Sequence, residues 1–285
     1  MRTRNAAFLI VLLLTAAGMA LPQSQRPKRK AMGAEKDPSP AVARALKAID
    51  KERIRAHVRY LADDRLEGRG TGQPGGDLAG KYIAEQFALY GLKPAGENGT
   101  YLKRVPLVGL TTQPETTYSL VPASGAEMKL AILDDYVVMD QTQNTESHLD
   151  APIVFVGYGI SAPEFGWDDY KGADLKGKVL LMLVNEPPSD DPRFFKGPAL
   201  TYYGRWTYKY EEAVRRDAVG AILIHKTDMA SYSWDVVRNS WSGERSALKT
   251  DDPKLKVASW IQLEVARKAL AAADKNIDEL MQQAR

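Results

Sequence analysis

Cysteine is absent from this 285-residue chain, and histidine occurs only three times. Without cysteine the chain can form neither a disulfide framework nor a lipobox lipid anchor, so its stability must come from an ordinary hydrophobic core. Any metal site would have to be built from His, Asp and Glu alone. The Gly-x-Ser-x-Gly nucleophile motif is also missing, which disfavours a serine hydrolase. The lack of cysteine likewise disfavours a cysteine hydrolase.

The first twenty residues have the pattern of a secretory signal peptide. Arg2 and Arg4 precede an apolar stretch from Ala6 to Ala17, and small residues lead to a cleavage site expected after Ala20. The stretch is shorter than the ~20 residues that a membrane-spanning helix needs. We therefore expect export to the periplasm or the extracellular space, without stable membrane insertion.

The charge of the chain gives no reason to expect a nucleic-acid partner. Loss of Arg2 and Arg4 with the signal peptide takes the formal charge from +3 to +1. The basic run at 26–30 lies in a Pro/Ser/Gln-rich stretch that reaches Pro40, which is typical of a solvated linker. The organisation predicted is a signal peptide at 1–20, a linker at 21–45, and two further pieces of unequal length, 46–120 and 121–285.

Two amphipathic helices are predicted near the start of the first piece. Helical spacing of apolar residues predicts a helix at about 53–62, with the stripe Ile54, Val58 and Leu61. The second is predicted at about 77–90, and its apolar face consists of Leu78, Tyr82, Ile83, Phe87 and Tyr90. Gly91 can adopt the left-handed conformation that ends a helix.

A glycine-rich loop at 68–76 joins these helices. Its glycines are spaced loosely like a phosphate cradle, but the loop has neither the Lys-Ser/Thr ending nor a preceding strand. We interpret it as a tight turn that uses the backbone freedom of glycine. The alternative is a loop lining a substrate cleft, with Arg69 and Thr71 as the cleft residues.

Asn98-Gly99 favours a hairpin turn, followed by a strand from Tyr101 to Leu110, although Asn98-Gly99-Thr100 also fits a glycosylation acceptor. Short strands are predicted between Tyr118 and Val138, and a polar loop at 141–150.

The second half alternates apolar strands with helices. The predicted strands are 153–159, 178–184, 221–224 and 257–261, the first two of them buried. A helix is predicted at 207–216, and one amphipathic helix passes through Val265, Leu270 and Leu280 at the end. This pattern predicts an α+β fold.

Several segments resemble metallopeptidase family 28, the di-zinc aminopeptidases and their glutamate-carboxypeptidase relatives. Leu61-Ala-Asp-Asp-Arg-Leu-Glu-Gly-Arg-Gly-Thr-Gly72, with Pro74-Gly-Gly-Asp77 and Gly91-Leu-Lys-Pro-Ala95, is similar to the opening of that family. Gly157-Tyr-Gly-Ile160, Trp167-Asp-Asp-Tyr170 and Leu175-Lys-Gly-Lys178 resemble its inserted protease-associated domain. The resemblance covers roughly residues 50–285.

The resemblance implies a helix-loop-helix piece of an α/β peptidase domain, followed by a protease-associated domain of short strands and flanking helices. It also implies that a complete member holds two zinc ions through a His-x-Asp, a bridging Asp, a Glu-Glu pair, a later acid and a final His. Those ligands are expected after the accessory domain, beyond residue 285. For this chain alone we therefore predict no catalytic residue, no metal ligand and no cofactor.

The order of the family's ligands can nevertheless be traced in this sequence, through His148-Leu-Asp150, Asp168 or Asp169, Glu211-Glu212, Asp217 and His225. We interpret the match as coincidence. His148 lies in a polar loop that would not hold it rigidly. Glu211 and Glu212 are adjacent on a predicted helix, where side chains diverge by about 100° and face solvent. Asp168 and Asp169 belong to the accessory-domain signature.

The other two histidines have structural and functional interpretations. His57 flanks the apolar stripe of its helix and is interpreted as surface or satisfied structure. His225 ends the strand at 221–224, a position where catalytic residues occur, but no partner lies near it in the sequence.

Two aromatic clusters in the second half, 202–210 and 237–244, are either core and domain interface or part of a substrate cleft. Arginine can clamp a carboxylate at two points, while Tyr and Trp give rigid contact area. Because the accessory domain of the resembling enzymes overhangs the active site, Arg205 and Asn239 join Arg69 and Thr71 as candidate cleft residues.

Two functions follow as expectations. The first is the amino-terminal part of a secreted zinc-dependent peptidase, whose partners would be a peptide substrate and the catalytic body. The second is a stand-alone protease-associated module that binds peptides or a protein without catalysis.

Overall fold

A computed structural model describes residues 38–123 and 125–284. Its contacts divide the chain into two units, of which the first ends at Gly68 and the second begins at Arg69. The predicted signal peptide and most of the predicted linker, 21–45, lie outside the described residues. In the described part, no helix is both long enough and apolar enough to cross a membrane.

The first unit contains helices α1 (Pro40–Lys47) and α2 (Lys51–Leu61). Each begins at a side-chain cap: Ser39 accepts from the Val42 N–H, and Asp50 accepts from the Glu52 N–H. Helix α2 confirms the helix predicted at 53–62. Helix α1 occupies the end of the stretch predicted as linker, because Ser39-Pro40 is itself a helix start.

The second unit opens with α3 (Pro74–Leu89). The predicted helix is confirmed, but it starts three residues earlier than expected, so the end of the glycine-rich loop is helical. Pro74 takes the first helical position. A Cβ on Gly76 would lie 2.5 Å from the Gly70 carbonyl oxygen, so only glycine fits there. Gly91 ends the helix at φ +70°, as predicted.

The predicted hairpin after Asn98-Gly99 is wrong. A 3-10 turn forms at Glu97–Gly99 with Asn98 at φ 52°, but the chain beyond it becomes a strand only at β1 (Leu107–Leu110). This strand pairs in antiparallel register with β10 (Arg245–Leu248), far along the sequence. A local turn signal cannot disclose such a partner.

The second unit is organised around a five-stranded sheet. Its order is β4 (Tyr136–Met139), β11 (Val257–Gln262), β9 (Gly220–His225), β8 (Val179–Leu183) and β5 (Ile153–Phe155). All neighbours are parallel except the pair β4 and β11. Two short ladders lie outside this sheet: β2 (Ser119–Leu120) with β3 (Met128–Lys129), and β6 (Ser161–Ala162) with β7 (Trp167–Asp168).

Two of the predicted strands are confirmed as buried strands, and a third is shorter than predicted. Every residue of β8 and of β9 is buried, as a strand covered on both faces requires. The strand predicted at 153–159 is only three residues long, and as an edge strand it leaves Ile153 42% exposed. It stops because Gly157 and Gly159 turn the chain at φ +61° and +64°.

Helices cover both faces of the sheet. Helices α4 (Trp206–Arg215) and α6 (Trp234–Trp241) pack on one face, and α7 (Leu263–Ala271) and α8 (Ile277–Gln283) on the other. A short helix, α5 (Thr227–Ala230), follows β9. Fully burying one large aliphatic side chain in these layers contributes about 1.5–3 kcal/mol.

The single helix predicted at the end of the chain is wrong, since two helices form. Asp274 adopts φ 55°, and the Asn276 side chain caps α8 by accepting from the Asp278 N–H. The helix at 207–216 and the strands at 221–224 and 257–261 are confirmed to within two residues. The mixture of helices and strands is compatible with the predicted α+β class.

Candidate functional site

The three histidines lie on separate elements. His57 is half-buried on α2, and His148 is exposed in a loop where its Nε2 lies 3.1 Å from the Glu146 carboxylate. His225 is buried, 3% exposed, at the end of β9. Within 38–123 and 125–284, no group of three or more His, Cys, Asp or Glu is placed to hold one metal ion.

The Glu211-Glu212 pair does not face solvent as a pair, so that prediction is wrong for Glu212. Its carboxylate is buried and accepts from Arg215 at 2.7 Å and from Arg216 at 3.0 Å. Glu211 stays about half exposed and accepts from the Tyr202 hydroxyl at 2.7 Å. Arg215 and Arg216 follow Glu212 by three and four residues at the carboxyl end of α4, so both guanidinium groups reach its carboxylate.

Asp168 and Asp169 hold the turn that follows β7. Asp168 accepts from the N–H groups of Tyr170 and Lys171, and Asp169 accepts from the Ile160 N–H at 2.9 Å. Burial raises the pKa of Asp169 above its ordinary value. Both carboxylates of the Trp167–Tyr170 segment therefore accept hydrogen bonds from backbone N–H groups within the fold.

The two aromatic clusters predicted separately meet in the second unit. The ring centroids of Trp206 and Trp241 lie 6.2 Å apart. The Arg245 guanidinium lies over both rings, 4.5 Å from the Trp241 centroid and 6.0 Å from that of Trp206. Arg205, directly before α4, and Asn239, on α6, are exposed, whereas the Trp241 ring is buried. This surface, formed by Arg205, Trp206, Asn239, Trp241 and Arg245, is called the tryptophan–arginine surface below.

Arg245 was missed by the sequence analysis. It lies at the start of β10, four residues after Trp241 and directly after the predicted cluster 237–244, so its nearness in the sequence was a signal that could have found it. The remaining candidates, Arg69 and Thr71, are exposed in the loop before α3, with Arg69 at φ 57°. Among the described residues, no hydrogen bond or ion pair joins that loop to the tryptophan–arginine surface.

Lys209 is a second residue that the sequence analysis missed. It lies on the buried face of α4 and is completely buried, and its Nζ has no hydrogen-bond partner in the described part of the chain. Burial lowers the pKa of Lys209 to about 7, while the charges of Asp169 and Glu186 partly oppose that shift. Glu186 is itself satisfied by the backbone N–H and the hydroxyl of Thr201, at 2.8 and 2.6 Å. Helical spacing from Trp206 and Ala213 was the signal that could have placed Lys209 on the inner face.

No protein-family model matches the chain, and no curated protein matches its sequence. The resemblance to metallopeptidase family 28 therefore stays a prediction that depends on the quoted motifs.

Proposed function

We propose that residues 1–285 form the amino-terminal part of an exported zinc-dependent peptidase of the family-28 type. In this proposal the second unit carries a protease-associated accessory domain on the substrate side. The zinc ligands belong to a catalytic body encoded beyond residue 285, and the complete protein hydrolyses peptides as an aminopeptidase does.

The observation that carries the proposal is the exposed apolar face of α3. Leu78 is 43% exposed, Ile83 41% and Phe87 40%, although all three belong to the stripe that an amphipathic helix normally buries. Such a face calls for a partner surface. In the resembling family that surface is the sheet of the peptidase body, so the exposure supports a chain whose amino-terminal helices dock onto a further domain.

The accessory-domain motifs give further support. Gly157 and Gly159 use left-handed backbone angles, Tyr158 and Ile160 are buried, and Asp169, directly after β7, accepts a hydrogen bond from the Ile160 N–H. The motif residues are therefore accounted for by structural roles. This favours a scaffold at the substrate side over a catalytic centre within these residues.

The decisive experiment is to read the coding sequence past codon 285. An open frame that encodes His-x-Asp, followed by a Glu-Glu pair and a final His, is the expected result. A stop codon at that point would refute the proposal and leave the alternative, a binding module without catalysis.

A biochemical test uses the purified 285-residue chain. We expect neither stoichiometric zinc by metal analysis nor turnover of an aminoacyl substrate. Bound zinc together with turnover would contradict the assignment of the catalytic body to a later segment. In the complete protein, Arg205→Ala should raise KM for peptides if the tryptophan–arginine surface faces the cleft, and unchanged peptide kinetics would remove that role.

A further inference from the structure

The apolar side of helix α1 faces solvent. Val42, Leu46 and Ile49 follow one another at intervals of four and three residues, which places them on one side of the helix and of the turn that ends it. These three residues are 48%, 54% and 61% exposed, and no residue of α1 is buried. The helix therefore presents a narrow row of aliphatic side chains to solvent, called the α1 stripe below.

The opposite side of α1 is basic. Arg44 and Lys47 lie about 160° and 140° around the helix from Val42, because each residue turns the helix by about 100°. Both basic residues are exposed, and no acidic residue occurs at 38–49. An aliphatic side and a cationic side on one exposed helix are typical of helices that lie in a membrane interface.

The charge of the chain is unevenly distributed in the same direction. Residues 21–49 contain seven Lys or Arg and two Asp or Glu, so their formal charge is +5. Residues 50–285 contain 30 Lys or Arg and 34 Asp or Glu, so their formal charge is −4. An anionic surface therefore attracts the segment that contains α1 and repels the remainder of the chain.

A bilayer with anionic headgroups complements both sides of α1 at once. Its acyl chains accept the α1 stripe, and its headgroups attract Arg44 and Lys47. A nucleic acid would attract the same cations but offers no apolar phase for the stripe. The combination of the two sides therefore favours lipid as the occupant.

We propose that α1 binds the surface of a membrane containing anionic phospholipid, with its axis in the interface and the α1 stripe among the acyl chains. Three aliphatic residues give a modest apolar contribution, so binding needs the charges as well. Each basic residue near an anionic surface strengthens binding about fivefold. The inference does not depend on the peptidase family, because α1 precedes the segment 50–285 that resembles it.

The test is sedimentation of the processed chain, from Leu21 onward, with lipid vesicles. One set contains phosphatidylcholine with about 30% phosphatidylglycerol, and the control set contains phosphatidylcholine alone. Binding to the anionic vesicles should be at least about tenfold tighter. It should weaken as salt shortens the Debye length from about 10 Å at 0.1 M to about 3 Å at 1 M.

A substitution in the stripe tests the apolar contribution. Leu46→Gln keeps the helix propensity and should weaken binding to the anionic vesicles about fivefold or more. The matched control is Leu248→Gln on β10, where the leucine is 60% exposed, and it should leave binding within about twofold.

A double substitution tests the charges. Arg44→Gln combined with Lys47→Gln should weaken binding about tenfold or more. The control combines Lys254→Gln with Lys256→Gln, which removes the same charge from two exposed positions of the second unit. It should leave binding within about twofold, because those lysines lie outside the basic segment.

The absence of cysteine allows a direct probe of the stripe. Leu46→Cys and Ala48→Cys each provide one labelling position for an environment-sensitive fluorophore, and the two positions are about 160° apart around the helix. The emission of the label at 46 should shift to shorter wavelengths when anionic vesicles are added. The emission of the label at 48 should not shift.

Several results would overturn the proposal. These are equal binding to both sets of vesicles, no binding to the anionic set, and unchanged affinity in Leu46→Gln. A label at 46 that is already shielded before vesicles are added would show that the chain itself covers the stripe, which also overturns it. The outcome is separable from the proposed function, because the coding sequence beyond codon 285 does not alter α1.

Discussion

Replacing Lys209 with methionine should stabilise the second unit at neutral pH. Lys209 is fully buried on α4, and its amine has no hydrogen-bond partner among the described residues. Methionine has a similar length and no charge, so it keeps the packing and removes the cost of burying an unpaired ammonium.

The magnitude follows from the depressed pKa. Lowering the pKa of Lys209 from 10.5 to about 7 in the folded state corresponds to about 5 kcal/mol, at about 1.4 kcal/mol per pH unit. Between these two values the unfolded chain holds a proton that the native chain lacks. The free energy of unfolding should therefore rise with pH across this window, by about 3 kcal/mol between pH 7 and 9.5. Below pH 7 the amine is protonated in both states, so this contribution becomes flat.

Urea denaturation at pH 6.5, 8 and 9.5, followed by tryptophan fluorescence, measures this directly. All five tryptophans lie after residue 166, so the signal reports the second unit. The wild-type protein should gain stability with pH, and Lys209→Met should lose that gain and be more stable at pH 7. Lys268→Met, an exposed lysine on α7, is the control and should follow the wild type. A Lys209 variant with the wild-type pH slope, or one less stable at pH 7, would refute the reasoning.

Three further predictions concern other parts of the molecule. Glu212→Gln should destabilise the protein by about 1–3 kcal/mol in urea melts, because it removes the carboxylate shared by Arg215 and Arg216, whereas the half-exposed Glu211→Gln should cost under about 1 kcal/mol. Gly159→Ala should lower the free energy of unfolding by about 2–4 kcal/mol, because the new Cβ would overlap the Met182 sulfur and φ is positive. The control Gly172→Ala has open space around its Cβ and φ +75°, so it should cost only about 1–2 kcal/mol. Equal losses of stability in the two variants would contradict the packing argument. Amide hydrogens at 50–110 should exchange faster than those at 153–273, because the apolar side of α3 is exposed whereas β8 and β9 are buried throughout. Hydrogen exchange followed by mass spectrometry measures this difference. Uniform protection of both regions would favour a self-sufficient short protein.

Local patterns predicted the elements whose signals are contained in a few residues. The apolar run of β8, the helical spacing of α2 and α4, and Gly91 after α3 each follow from the conformational preferences of neighbouring residues. The same reasoning failed where a strand partner lies far along the sequence, or where a local helix cap interrupts an amphipathic pattern. Asn98-Gly99 made its turn without a hairpin, and the last amphipathic segment broke into two helices at Asp274.

The candidate surfaces were only partly visible in the sequence. The aromatic clusters around Trp206 and Trp241 were recognised, but not that Arg245, four residues after Trp241, lies over both rings. His225 was recognised at the end of a strand without a partner. Gln262 comes opposite His225 only because β9 and β11 lie side by side in parallel register.

The sequence by itself determined that this protein must fold without disulfides, alternates buried strands with amphipathic helices, and carries a helix whose apolar face has residues to bury. These properties depend on composition and on spacing within one element. The tertiary structure decided that Lys209 and Glu212 are buried, and that His225 and Gln262 come opposite each other at the ends of β9 and β11. Strand order and long-range register set these outcomes, because they bring together residues that no local interaction in the sequence connects.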